Sequence, residues 1–322
     1  FIIADTPGHE QYTRNMVTGA STADLAVEVV DARSGVSRQT RRHAFVASLL
    51  RIPHVIVAVN KMDLVGYSEA RFREIVAEFE EFAAELDIPD LTYLPISALK
   101  GDNVATASAH MPWYDGGTLL HRLETANPRA DRNQIDFRFP VQTVIRPHQD
   151  FRGIAGEVAS GRIRPGEEIT VLPSGQTAHV ASIVNIDGKM EEAGPGKAIV
   201  LTLDRELDVS RGSMIVRSRN QPAMTRQLDA NLCWMDAEAL RQDRPYVLQH
   251  TTQRTQAYVS KVIYRFDVNT MHREPATTLT LNEIGRVELE TAAPLPIDPY
   301  RINRTTGGFI LLDPDTNQTV AA

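Results

Sequence analysis

Three short segments of this chain carry residue types whose spacing could hold a nucleotide: Asp5-Thr6-Pro7-Gly8, Asn60-Lys61-Met62-Asp63 and Ser97-Ala98-Leu99. In the first, the Asp5 carboxylate can reach a Mg²⁺ ion through water while the Gly8 N–H lies open to a phosphate oxygen. The same residues would also serve as a strand-ending turn. The second segment is more selective. A fixed Asp63 carboxylate can accept two hydrogen bonds, from the N1–H and the 2-amino group of guanine, and adenine offers neither donor. Losing two charge-assisted bonds costs roughly 3 kcal/mol, on the order of a hundredfold in affinity. Asn60 would brace the loop, and the Lys61 stem could cover the base or ribose face. A capping turn after a strand is the other reading of this segment. Ser97-Ala98-Leu99-Lys100 would offer a backbone N–H, near Ala98, to the guanine O6. His9, directly after Gly8, could orient the water that attacks a γ-phosphate, or could be an exposed residue at a helix N-terminus.

The segments gain weight together because each closes a predicted parallel strand. Residues 1–4, 25–30, 54–59 and 93–96 read as short apolar strands alternating with helical patterns, and they end on Asp5, Asp31, Asn60 and Ser97. Ligands of an open α/β sheet bind outside the carboxyl ends of its strands, so these four residues mark the expected active edge. The clearest helix is 68–86, with Phe72, Ile75, Val76, Phe79, Phe82, Ala83 and Leu86 three or four apart, and its aromatics belong to a core. Glu28 interrupts the apolar run 25–30. A buried unpaired carboxylate is costly, so an edge or solvent-facing position is expected for it.

At Asn127-Pro128-Arg129-Ala130-Asp131-Arg132 the pattern breaks, as in a linker. Beyond it, the runs 137–145, 169–172 and 198–203 are punctuated by Arg164-Pro165-Gly166, Pro173-Ser174-Gly175 and Gly194-Pro195-Gly196, which predicts a small β-barrel. A second barrel is expected after a break near Gln221-Pro222, with strands at 258–266 and 277–281 and a buried strand at Leu232-Cys233-Trp234-Met235.

With 322 residues, 42% hydrophobic and 23% charged, the chain is long enough for two or three cores. The net charge is −7, from 34 Lys+Arg against 41 Asp+Glu, and there is no long basic run, so nucleic acid is not a favoured partner. The single cysteine, Cys233, cannot form an internal disulfide, which fits a reducing compartment such as the cytoplasm. No apolar stretch approaches the roughly 20 residues of a membrane span, and the start is neither a signal peptide nor a transit sequence. Residue 1 is Phe inside a strand pattern, so the chain is expected to be truncated at its start.

The run Asp5-Thr6-Pro7-Gly8-His9-Glu10-Gln11-Tyr12-Thr13-Arg14-Asn15-Met16 resembles the translation-factor group of GTPases, which includes elongation factor Tu. Further segments are similar to the GTPase subunit of bacterial ATP sulfurylase (sulfate adenylyltransferase), including forms fused to adenylylsulfate kinase. They are Arg146-Pro147-His148-Gln149-Asp150-Phe151-Arg152-Gly153, His250-Thr251-Thr252-Gln253-Arg254-Thr255, Asn282-Glu283-Ile284-Gly285-Arg286 and Asp298-Pro299-Tyr300-Arg301-Ile302-Asn303-Arg304-Thr305-Thr306-Gly307-Gly308.

That resemblance covers essentially the whole chain. It implies an incomplete P-loop GTPase domain at 1–128, built on a mostly parallel sheet with helices on both faces. Two translation-factor-type β-barrels are expected to follow at 134–222 and 226–322. It implies GTP hydrolysis that drives a separate catalytic small subunit to form adenylylsulfate and pyrophosphate from ATP and sulfate, the first step of sulfate assimilation. Carried over by position, Asp5 serves Mg²⁺, Gly8 the γ-phosphate, His9 the attacking water, and Asn60, Lys61 and Asp63 the guanine. The phosphate-cradling Gly-x-x-x-x-Gly-Lys-Ser/Thr loop and the Thr-bearing switch would lie before Phe1, so residues 1–322 alone are expected to bind GTP weakly or not at all. An aminoacyl-tRNA carrier and a non-hydrolysing scaffold for the catalytic subunit are the alternatives, and a kinase domain after Ala322 stays open.

Overall fold

His54-Val55-Ile56-Val57-Ala58-Val59-Asn60 has polar residues only at its ends, the pattern of a strand covered on both faces. In the computed structural model of the protein, which describes residues 2–6, 13–127, 132–148, 151–267, 270 and 272–322, it is the central strand of a parallel sheet. The elements run α1 (Thr13–Ala20), β1 (Leu25–Asp31), α2 (Arg38–Leu49), β2 (His54–Asn60), a 3₁₀ turn (Met62–Val65), α3 (Glu69–Ala83), β3 (Asp90–Pro95) and α4 (Leu119–Thr125). The sheet order is β1-β2-β3, with Asp31 opposite Asn60 and Val59 opposite Pro95. Val55, Val57 and Val59 pack with Phe72, Ile75 and Phe79 of α3, while Ile56 and Ala58 pack on the other face with Leu119 and Leu123 of α4. Helices thus cover both faces. Helix α3 starts where Ser68 accepts a hydrogen bond from Arg71 N, and the register of Phe72, Ile75, Phe79 and Phe82 buries one stripe of it.

Two expectations for this region are corrected. Residues 2–4 form no strand: Ile2 and Ile3 are exposed, and Phe1 lies outside the described residues. These residues pair with no strand among the described residues, so their N–H and C=O groups are left to water. Glu28 does lie on an edge strand among the described residues, one of the two positions expected, but it does not face solvent. The period of two turns it inward with Ala26 and Val30, leaving Val27 and Val29 outside, and its Oε1 has no hydrogen-bond partner among the described residues. Burial raises its pKa well above the ordinary carboxylate value.

These elements belong to a first unit, Phe1–Asp131 with Phe266–Arg273; the second unit is Arg132–Arg265 with Glu274–Ala322. The linker residues 128–131 lie outside the described residues. The second unit begins with β4 (Arg138–Ile145), β5 (Gly153–Glu157), β6 (Glu168–Leu172), β7 (Gln176–Asn185), β8 (Gly188–Met190), β9 (Ala198–Leu203) and β10 (Met214–Arg217). Their order is β6-β10-β4-β5-β9-β7-β8, and a further β6–β7 pairing closes the sheet into a barrel filled by Phe137, Phe139, Ile163, Ile169 and Leu201.

A second sheet follows with β11 (Ala223–Cys233), β12 (Tyr246–His250), β13 (Gln253–Phe266), β14 (Arg273–Glu274), β15 (Ile284–Ile297), a short helix α5 (Arg304–Gly307), β16 (Ile310–Leu312) and β17 (Thr319–Ala321). It runs β11-β15-β13-β12-β16-β17, and hydrogen bonds between Cys233 and Ala322 bring its ends together. Residues 277–281, expected as a strand, are a loop. Only Leu279 enters the core, its carbonyl accepting from Leu240 N at 2.8 Å, and Asn282 turns the chain with φ 67°.

The two sheets are joined by a buried ion pair. Arg138 donates from Nε to Asp298 Oδ2 and from Nη2 to Asp298 Oδ1, both at 2.9 Å. Its remaining donors reach the Phe137 and Asn220 carbonyls and Asn220 Oδ1. Thr306 donates to Asp298 Oδ2, and Asn303 donates to Ser160 Oγ at 2.7 Å. The segment 298–308 can fold back this tightly because Gly307 has no Cβ, which would stand 2.4 Å from Tyr300 Cα.

Candidate nucleotide site

The carboxyl ends of β1, β2 and β3 bring together Asp31, Asn60, Lys61, Asp63, Ser97 and Ala98. Asn60 ends β2, and its Oδ1 accepts from Lys61 N at 2.7 Å and from Ala98 N at 2.9 Å. One side chain therefore ties the loop after β2 to the loop after β3. Lys61 lies in the left-handed region at φ 66°, and the following 3₁₀ turn closes on Gly66 at φ 62°. Met62 is fully buried in the hydrophobic core with its N–H donating to Ile96 O, so it anchors the segment from below. Asp63 is partly exposed. Its Oδ1 accepts from the buried Ser97 hydroxyl at 2.7 Å, and its Oδ2 has no partner among the described residues.

The Ser97 loop is held from behind. Gly101 N donates to Ser97 O at 2.8 Å, Lys100 N to Ser97 Oγ at 3.3 Å, and the buried Asn103 donates to Pro95 O at 3.0 Å. Because Ala98 N is engaged by Asn60, the Leu99 N–H is the donor of this loop with no partner among the described residues. The Leu99 side chain is 85% exposed. The arrangement presents a fixed carboxylate oxygen and an open backbone N–H, which suit a planar ligand edge with donors next to an acceptor. Guanine has such an edge; adenine has the reverse.

Asp31 was expected on the active edge but without a role of its own. Its carboxylate is a hub. Oδ1 accepts from Arg33 N at 2.9 Å and Arg33 Nε at 3.0 Å, and Oδ2 accepts from Arg33 Nη2 at 2.6 Å and Lys61 Nζ at 2.8 Å. The Arg33 hydrogen bonds, with Lys61 beside them and against the cost of burial, hold its pKa far below the usual carboxylate range. The signal in the sequence was register: parallel strands of matched length bring Asp31 level with Asn60.

Of the first segment, Asp5 is exposed and Thr6 is half-buried, with its methyl against Gly19 of α1. Neither joins the network around Asn60. Pro7, Gly8 and His9 lie outside the described residues. An exposed carboxylate suits a Mg²⁺ ion that keeps most of its water shell, so Asp5 fits that ion's demands. Among the described residues no helix is long and apolar enough to cross a membrane.

Residues 1–136 match the elongation factor Tu GTP binding domain, and residues 227–322 the GTP-eEF1A C-terminal domain-like family. The chain is 57% identical to the bifunctional enzyme CysN/CysC of Rhodopirellula baltica, covering 100% of this chain and 50% of that protein. To sulfate adenylyltransferase subunit 1 of Bacteroides fragilis it is 54% identical, covering 100% of this chain and 67% of that protein. It spans about half the length of the CysN/CysC relatives it matches. Among solved structures, sup35 complexed with GMPPNP is similar at 26% identity with a TM-score of 0.56, over 94% of this chain and 78% of that one. The fold is therefore that of the translation-factor GTPases, an α/β domain followed by β-barrels, and the first domain is of a GTP-binding type.

Proposed function

Since the chain belongs to the sulfate adenylyltransferase subunit 1 family, we propose that it is the GTPase part of an ATP sulfurylase. GTP hydrolysis at its first domain drives a partner catalytic subunit to join sulfate to the AMP part of ATP, giving adenylylsulfate and pyrophosphate. The observation that carries the reading is identity of 54% along all of the chain, barrels included. The barrel segments separate this role from that of an aminoacyl-tRNA carrier.

In this reading Asp63 and the Leu99 N–H read guanine, Asn60 and Ser97 hold them in place, and Lys61 lies along the nucleoside. Asp5 holds Mg²⁺ through water, Gly8 meets the γ-phosphate, and His9 orients the attacking water. Domain limits are 1–128, 134–222 and 226–322, and the protein works in the cytoplasm with a catalytic small subunit. The test is adenylylsulfate formation by the full-length protein and that subunit. Yield should rise with GTP and fall back with a non-hydrolysable analogue. Retention of aminoacyl-tRNA on a filter, with no effect of GTP on adenylylsulfate, would replace this reading with the carrier.

A further inference from the structure

Lys61 and Asp31 meet across the ends of two parallel strands. Asp31 is the last residue of β1 and the register partner of Asn60, the last residue of β2; Lys61 follows at once. From there the lysine stem crosses back so that Nζ donates to Asp31 Oδ2 at 2.8 Å. Asp31 is itself fixed, because Arg33 grips both its oxygens and adds a backbone N–H. The side chains are 45% exposed at Lys61 and 24% at Asp31, so this is an accessible bridge at the mouth of the site and not a core ion pair.

A lysine stem has four rotatable bonds and, left alone, a large rotamer entropy that a ligand must remove when it packs the stem against itself. Here the backbone of Lys61 is already set in the left-handed region and its far end is already moored. We propose that Asp31 is a positioning residue for nucleoside binding: it holds the Lys61 stem stretched across the strand ends so that a guanine nucleoside meets a preformed rail. This rests on the nucleotide-site reading above. Arg33 serves the rail at one remove, by fixing the orientation of the Asp31 carboxylate through its three hydrogen bonds.

The test uses the full-length protein and a fluorescent GDP analogue, with release followed by stopped flow. Asp31→Asn should speed release by roughly five- to tenfold, the size expected for freeing one long side chain. Lys61→Ala should speed it more. In the double variant Asp31→Asn adds nothing to Lys61→Ala, because Asp31 acts through that stem. Asp31→Glu, which keeps the carboxylate, regains part of the loss. If Asp31→Asn folds poorly, Arg33→Ala replaces it, with a smaller acceleration that Lys61→Ala again abolishes. Unaltered release in Asp31→Asn, or effects that multiply in the double variant, overturns the rail while leaving the nucleotide site standing. Failure of the wild-type protein to hold the analogue at all overturns both.

Discussion

Two polar clusters in this chain are built from similar residues and do opposite things. At the barrel seam, Arg138 and Asp298 are 3% and 7% exposed, and the guanidinium has an acceptor for each of its five N–H groups. At the strand ends, Lys61, Asp63 and the Ser97 loop are partly exposed and leave valences open: one Asp63 oxygen and the Leu99 N–H. A joint closes every hydrogen bond internally. A binding site keeps some of them for its ligand and lets neighbours such as Asn60 and Ser97 hold the rest rigid.

The contrast can be broken at several points. The largest effect is expected at the seam. Arg138→Ala leaves the Asp298 carboxylate buried without its partner and should cost about 3–5 kcal/mol in urea unfolding, followed by the fluorescence of the buried Trp234. The pair Arg138→Met with Asp298→Leu should lose much less, since no charge is stranded; an equal loss would show that the seam is held by shape rather than by charge.

Next comes Asp63→Asn, which turns one acceptor into a donor at the open end. Guanine nucleotide affinity should drop about a hundredfold, with xanthosine nucleotides gaining, while the melting temperature stays close to the wild-type value. Unaltered base preference in a competition assay would remove Asp63 from the site.

The smallest effect belongs to Glu28, which is buried like the seam and unpartnered like the site. Its folded pKa is raised, so above the unfolded value of ~4.3 the unfolded chain is ionised while the native state keeps its proton. Stability is therefore lost as pH climbs from that value toward the folded pKa. Glu28→Leu should raise stability by roughly 1–3 kcal/mol at pH 7, and by less at pH 4.5. A destabilised variant would mean that Glu28 has a partner in the full-length protein.

The strand-end cluster was legible because its parts are local. A strand, a turn and a polar residue at the end of each repeat can be read from a few neighbouring letters, and α3 announced itself by the spacing of Phe72, Ile75, Phe79 and Phe82. The seam was not. Arg138 and Asp298 are 160 positions apart, and nothing near either one says that they meet. For Glu28 the edge strand was legible but the inward face was not, because an apolar period of two fixes which residues share a face, not which face is covered. Residues 2–4 were misread for a related reason: strand-like letters make a strand only where the segment pairs, and among the described residues these pair with none. The 277–281 run failed differently, because one buried Leu279 anchors a loop as well as it would a strand.

Strand β1 has a practical side. Its outer edge carries N–H and C=O groups that pair with no described residue, beside Val27 and Val29 at 39% and 61% exposure. Such an edge is a template for a further strand. A concentrated solution of these 322 residues alone would accordingly age, its light scattering climbing as chains zip edge to edge, and a lysine in place of Val29 would keep it clear for longer.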